Sequence, residues 1–303
     1  EWYIDIENRK MYLWPLDNSA DPDIAVTDSS CALVTLTNTG NITFRGITFT
    51  ETYGMGLHLS SAGNITFDGC TVSATGRYGM RMDDVTNCTF KNGEFKYCGI
   101  GGIYLVTGGN YKTLESGNNL ITNSVFDNCS FTKETYAPGV ALNGVGNVVS
   151  HCEFKNFSHS AMTFGGCLNV MEYNSFTNSC INGTDSGVIY TGRNLSEHGN
   201  IIRYNHFYGI GNDQEGRNYF PCCVFTDDGS SDLSIYGNVF GPDLRNVEVF
   251  KSHGGQCDDM YDNIIIDATR VYYMCDWSDE NWRFVVTENY GSSDWQSKDV
   301  YFG

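Results

Sequence analysis

Basic residues are scarce in this sequence: 18 Lys and Arg stand against 36 Asp and Glu, for a formal charge of -18 over 303 residues. A chain this acidic is repelled by a phosphate backbone, so nucleic acid is not expected as a partner. No apolar run approaches the roughly eighteen residues of a membrane-crossing helix, and no membrane partner is expected. The opening, Glu1-Trp-Tyr-Ile-Asp5, is neither basic nor followed by an apolar core, so it is no signal peptide. Either a leader has been removed or the chain is part of a longer one. Cys-x-x-Cys pairs are absent, which removes the commonest cysteine metal signature. Helical periodicity is absent too, as is the Leu-x-x-Leu-x-Leu frame of a leucine-rich repeat.

What is present is a globular composition, with 41% hydrophobic and 18% charged residues, and an even count of 12 cysteines. So many cysteines without a metal pattern point to an oxidising, secreted or extracellular setting. Seven Asn-x-Ser/Thr sequons, at Asn41, Asn64, Asn87, Asn128, Asn156, Asn182 and Asn194, are candidate glycosylation sites and point weakly the same way. An Asn-rich chain also produces sequons by chance.

A repeat organises the chain. Asn41-Ile-Thr-Phe-Arg-Gly-Ile-Thr-Phe returns at Asn64 and Asn87, and looser copies start at Asn119, Asn147, Asn169, Asn200 and Leu233. The intervals are 23, 23, 32, 28, 22, 31 and 33 residues, a short period with insertions. Each copy closes on Phe or Val: Phe49, Val72, Phe95, Phe126, Phe154, Phe176, Phe207, Phe240. A second short strand follows, usually opened by glycine, as in Gly56-Leu-His-Leu, Gly79-Met-Arg-Met and Gly102-Ile-Tyr-Leu. Period-2 runs this short, bounded by Gly, Asn and Asp, are strands. The expected fold is all-β, a right-handed parallel β-helix of about ten coils stacked at roughly 4.8 Å. It forms a single domain over residues 1–303, with 1–40 as a lead-in segment.

Stacking carries two further expectations. Asn174, Asn205 and Asn238 hold the same place in successive copies and should form a ladder of side-chain amides. Cys98 and Cys129 each lie three residues past their Phe, so on neighbouring coils they form a disulfide or a ladder of free thiols.

Alternation assigns Leu57/Leu59, Met80/Met82, Ile103/Leu105, Val140/Leu142, Met162/Phe164 and Val188/Tyr190 to the interior. Polar residues gather on the later coils: Asp185, Arg193, the run Asp227-Asp-Gly-Ser-Ser-Asp232, and Lys251-Ser-His253. Three coils span only about 10 Å, so Asp185, Arg193, Asp227, Asp228 and His253 can line one pocket, with Tyr190 and His159 as further substrate contacts. Two carboxylates, one protonated and one ionised, are the requirement of glycoside hydrolysis. The plainer explanation for any single Asp is that turns favour it. Asp227–Asp232 could alternatively be a calcium loop; no other cofactor or metal is expected. Asp83-Asp84 repeats the pair in the same register, five coils away.

Gly187-Val-Ile-Tyr-Thr-Gly-Arg193, Asn200-Ile-Ile-Arg-Tyr-Asn-His-Phe207, Val224-Phe-Thr-Asp-Asp-Gly-Ser-Ser231 and Ile235-Tyr-Gly-Asn-Val-Phe240 are similar to one group of parallel β-helix proteins, nearest to glycoside hydrolase family 141. These are secreted enzymes acting on complex glycans. The resemblance implies a catalytic Asp pair on adjacent coils, mapping to Asp227 or Asp228 with Asp185 as partner. It also places the opening segment, through Met11-Tyr-Leu-Trp-Pro15, well inside a longer protein. The group's Thr-Gly-Arg-Asp is here Thr191-Gly-Arg-Asn194, and its Gly-Gly-Arg-Asp is Gly254-Gly-Gln-Cys257.

Three functions fit these residues. The first is a secreted glycoside hydrolase acting on a polysaccharide or glycan. The second is a non-catalytic extracellular β-helix glycoprotein, structural or glycan-binding, that could self-associate. The third is a polysaccharide lyase or epimerase, less suited to so acidic a chain.

Overall fold

The computed structural model describes residues 2–14, 25–27, 30–211, 220–255, 257–268 and 270–275; the remainder of the expected domain, 276–303 included, lies outside them. Trp2–Asp5 and Lys10–Leu13 form an antiparallel hairpin, and the coils begin at Val34–Thr37. Each coil crosses three faces of a right-handed parallel β-helix. The first two faces share a 19-stranded sheet, because Leu57–Asp68 bends from one onto the other; the third face is a 9-stranded sheet. Nine complete coils and the opening strand of a tenth are described, in agreement with the repeat.

The strands are short because the chain must turn every few residues, and the corners need left-handed backbone. Asn38, Asn41, Asn64 and Asn87 at the first corner, and Gly46, Gly69, Asn92 and Asn123 at the second, all have φ between 47° and 65°. Asn and Gly enter that region at the least cost. Five of the seven sequon asparagines, Asn41, Asn64, Asn87, Asn128 and Asn156, take this conformation, so the turn itself accounts for asparagine there.

Inside, the phenylalanines that close the copies stack face to face. Centroids of Phe95, Phe126, Phe154, Phe176, Phe207 and Phe240 are 4.8–5.2 Å apart down the axis. The glycines before three of the first-face strands, Gly79, Gly102 and Gly139, abut this column: a Cβ on Gly79 would lie 2.5 Å from the Phe95 ring. The expected amide ladder runs from Asn174 through Asn205 and Asn238 to Asn263, with Nδ2–Oδ1 distances of 3.1, 3.0 and 3.0 Å. A second buried ladder, Asn119–Asn147–Asn169–Asn200, spans the first corner at 2.8, 3.2 and 3.2 Å. Both satisfy backbone groups that a corner would otherwise bury unpaired.

Two expectations are corrected. No disulfide joins Cys98 and Cys129: both are buried free thiols. The Cys129 thiol bonds the Phe95 carbonyl at 3.5 Å, and burial with the neighbouring Cys98 pushes its pKa well up, so the pair is the thiol ladder. Nor does Tyr190 fill the interior. Met162 pairs with Ile189, and Thr163 with Tyr190, so Ile189 and Thr191 point in while Tyr190 points out. Val188 occupies the slot held by Gly139 and Ala161 in earlier coils, its carbonyl accepting the Ala161 N–H. Framing the coil on Gly187 therefore shifts it by one residue, which exchanges the two faces.

Candidate active site

Gly187–Gly192, Cys222–Asp227 and Glu248–His253 lie side by side on the first face. Register places Tyr190, Phe225, Lys251 and Tyr273 in one outward row, and Gly192 opposite Asp227 in the next. Together with Arg193, Asp228 and His253 they line a cleft of about 680 Å³, whose rim carries Tyr136 and Asp185.

Asp227 is the hub. Its Oδ2 accepts the Tyr190 hydroxyl at 2.9 Å; its Oδ1 lies 2.8 Å from His253 Nδ1 and 2.9 Å from the Asp228 N–H. Gly192 makes this possible, since a Cβ there would stand 2.7 Å from the Tyr190 hydroxyl and 3.2 Å from Asp227 Cβ. Burial, reinforced by the charge of Asp228, raises the Asp227 pKa in spite of the His253 and Tyr190 contacts. The Tyr190 hydroxyl is pushed up by burial and by Asp227 in turn, and stays protonated.

Asp228 sits in a different environment. Its backbone is left-handed, φ 48°, and its Oδ2 accepts Arg193 Nε at 2.6 Å. His253 Nδ1 lies 3.5 Å from its Oδ1. Ligand atoms of Asp227, Asp228 and His253 all fall within 4.8 Å of one another, a convergence able to hold a cation, although Arg193 already shares Asp228. Asp232 is not among the converging groups, and its Oδ2 accepts the Gly199 N–H instead.

The structure therefore brings together Asp227, Asp228, Arg193, His253 and Tyr190. Asp185 joins the rim but is committed elsewhere: it is 65% exposed and accepts Lys251 Nζ at 2.9 Å. Burial works to lower the Lys251 pKa, but Asp185, Cys222 and Glu248 together raise it and the ammonium is held charged, 4.4 Å over the Phe225 ring. His159 is buried behind the rim against Tyr136, ring centroids 4.8 Å apart, with its pKa lowered by burial. Asp83 is saturated by Arg81 and His58 at 2.7–3.0 Å, a separate cluster.

Sequence reasoning missed Lys251 as a cleft residue, although continuing the outward row past Phe225 reaches it directly. It also missed two acids outside the cleft's lining, one buried and one half-buried. Glu197 accepts the Thr191 hydroxyl at 2.7 Å and the Gly166 N–H at 3.3 Å, and burial raises its pKa to about 7. Asp258 accepts the Thr226 hydroxyl at 3.0 Å, and burial raises it to about 6. Both fall in corner segments without a repeat to mark them.

A family described as a right-handed β-helix region matches residues 23–126. No curated protein matches the chain. Among solved structures, an alginate lyase from Paenibacillus sp. str. FPU-7 superposes with a TM-score of 0.58 at 14% identity, covering 75% of this chain and 79% of its own. A protein titled glycoside hydrolase superposes with a TM-score of 0.55 at 12% identity, covering 76% of this chain and 40% of its own. At these identities the likeness is one of fold.

Proposed function

We propose that the protein is a glycoside hydrolase acting outside the cytoplasm on a polysaccharide, with Asp227 as the proton donor and Asp228 as the ionised carboxylate. The observation that carries this reading is the contrast between the two neighbours. Asp227 is buried with its pKa raised, while Asp228 faces the Arg193 guanidinium at 2.6 Å. Carboxylates whose surroundings separate them in this way are the arrangement of an acid and its partner. One oxygen of each carboxylate lies within 4.8 Å of the other, nearer the roughly 5–5.5 Å of retaining enzymes than the roughly 6.5–9.5 Å of inverting ones, which supports a double displacement. In the first step Asp227 passes its proton to the glycosidic oxygen as that bond breaks, and Asp228 bonds the anomeric carbon. In the second, Asp227 takes a proton from water as the water displaces Asp228. Tyr190 and His253 fix the donor carboxyl, and Arg193 aims the nucleophile.

The relation of the cleft to Lys251, Arg193 and His253 favours a second reading, polysaccharide lyase action. A chain with only 18 Lys and Arg places three potential cations in one cleft, where they could neutralise a uronate. Against it, each of the three is matched by a carboxylate.

The test is to incubate the wild type and Asp227→Asn with xylans, fucosylated glycans, pectin and alginate. Reducing ends that form without ultraviolet-absorbing products, and vanish in the variant, are expected. Unsaturated products would replace hydrolase with lyase, and no product on any substrate would leave a non-catalytic glycan-binding rod. Activity should fall as pH rises through the raised Asp227 pKa, since the donor then loses its proton.

A further inference from the structure

The cleft does not end at Tyr190. A second cavity of about 290 Å³ continues from it toward the N-terminal coils, sharing Tyr136, Tyr190 and Gly192. Its floor carries the small side chains of Ala141 and Thr163 beside Asn143, and Gly165 is the register partner of Asn143 on the next coil. Gly165 and Gly192 leave the floor open in the row that elsewhere carries Asp83, Asn143 and Asp227. Tyr104, its ring tilted 32° against Tyr78 with centroids 5.0 Å apart, closes the far end. Tyr104 and Tyr190 are three coils apart, about 14 Å, the length of a short run of linked sugar rings.

The two cavities differ in charge. Six ionisable groups other than tyrosine line the first: Asp185, Arg193, Asp227, Asp228, Lys251 and His253. None lines the second, where Tyr78, Tyr104, Tyr136 and Pro138 offer apolar surface and Asn143 and Thr163 offer polar atoms. Asn143 Nδ2 is bonded to the Leu105 carbonyl at 3.0 Å, which turns its Oδ1 to the Gly165 side of the floor.

We infer that this second cavity is a set of binding subsites for uncharged sugar residues of the same polymer. The proposal rests on the cleft being a glycan-processing site, and it assigns the substrate class: a chain whose residues on the Tyr104 side of the cleavage point are neutral. A pyranose ring has an apolar face to lay on tyrosine and hydroxyls for Asn143 and Thr163. A uronate there would lose its water with no cation lining the cavity, since Arg81, 5.4 Å over the Tyr104 ring, is already paired with Asp83, so polyuronates are disfavoured.

Asp227→Asn protein serves as the binding host, titrated by calorimetry with xylo-, cello- and manno-oligosaccharides and with oligoalginate and oligogalacturonate of increasing length. Affinity for at least one neutral series should rise with length and exceed that for both acidic series. Tyr104→Ala should weaken the longer members about three- to ten-fold by removing the aromatic face. Thr163→Trp, a change on the outward row that leaves the interior alone, should do the same by filling the floor. Absence of binding by every neutral series, tighter binding of uronates, or affinities indifferent to both substitutions would each overturn the proposal. The hydrolase reading fails separately: wild-type protein that binds neutral chains in this way yet releases no reducing ends refutes the chemistry and leaves the subsites standing.

Discussion

Glu197→Gln should make the protein more stable at neutral pH, although it removes a native carboxylate. Glu197 is 4% exposed, and its pKa is raised from 4.5 to about 7, chiefly by burial, against hydrogen bonds from Thr191 and Gly166. Below pH 4.5 the acid is protonated whether the chain is folded or not, and it contributes no pH dependence. Between 4.5 and about 7 the unfolded chain releases the proton first, so the folded state binds more protons and stability falls as pH rises. The full loss, reached above about pH 7, is about 3 kcal/mol. Glutamine has the shape of the protonated acid: its carbonyl can accept from Gly166 while its amide donates to the Thr191 hydroxyl. Urea unfolding of wild type and variant at pH 4 and pH 8 measures the difference. The variant should match the wild type at pH 4 and exceed it by up to about 3 kcal/mol at pH 8. A variant destabilised equally at both pH values would refute the reasoning, because Glu197 would then act through shape or through a charge that folding favours.

Asp258→Asn should act in the same direction over a lower window, between 3.8 and about 6, read from the same unfolding series. Phe154→Ala opens a hole in the middle of the ring column and should cost about 3–5 kcal/mol, seen as a lower urea midpoint with cleft binding tested on the folded fraction. Asn169→Ala breaks one amide ladder, leaving the Asn147 N–H without its acceptor and the Asn147 side-chain amide with only the Gly108 carbonyl; a loss of about 1–3 kcal/mol is expected by the same measurement.

The fold was legible because it repeats. Phe95, Phe126 and Phe154 recur at the ends of copies, and stacking successive copies buries them all in one column, so their spacing points to coils before any coordinate is known. The charged half of the cleft was legible for a related reason, since Asp227, Arg193 and His253 fall on adjacent copies. What failed was a one-residue frame. Nothing in Gly187-Val-Ile-Tyr190 tells which of two neighbouring apolar residues fills the interior, and the decision rests on how Val188 fits beneath Ala161. Cysteine misled for a physical reason as well: Cys98 and Cys129 occupy small interior slots where a thiol behaves as an apolar filler, so an even count carried no pairing information. Glu197 and Asp258 were invisible because their burial depends on corner geometry that does not repeat.

The coils and the walls of the cleft are independently adjustable. The shortest copies need only 22 or 23 residues per circuit, and the longer intervals place their surplus in connections such as 130–139 and 180–186, which bring Tyr136 and Asp185 to the rim. Lengthening a connection of this kind costs only about 0.6 kcal/mol for each doubling, while the stacked strands beneath are untouched. On the proposed reading, diversification can therefore rewrite which glycan is admitted without renegotiating how the polypeptide folds, and a graft of these two loops onto another β-helix scaffold is the natural engineering route to a new specificity.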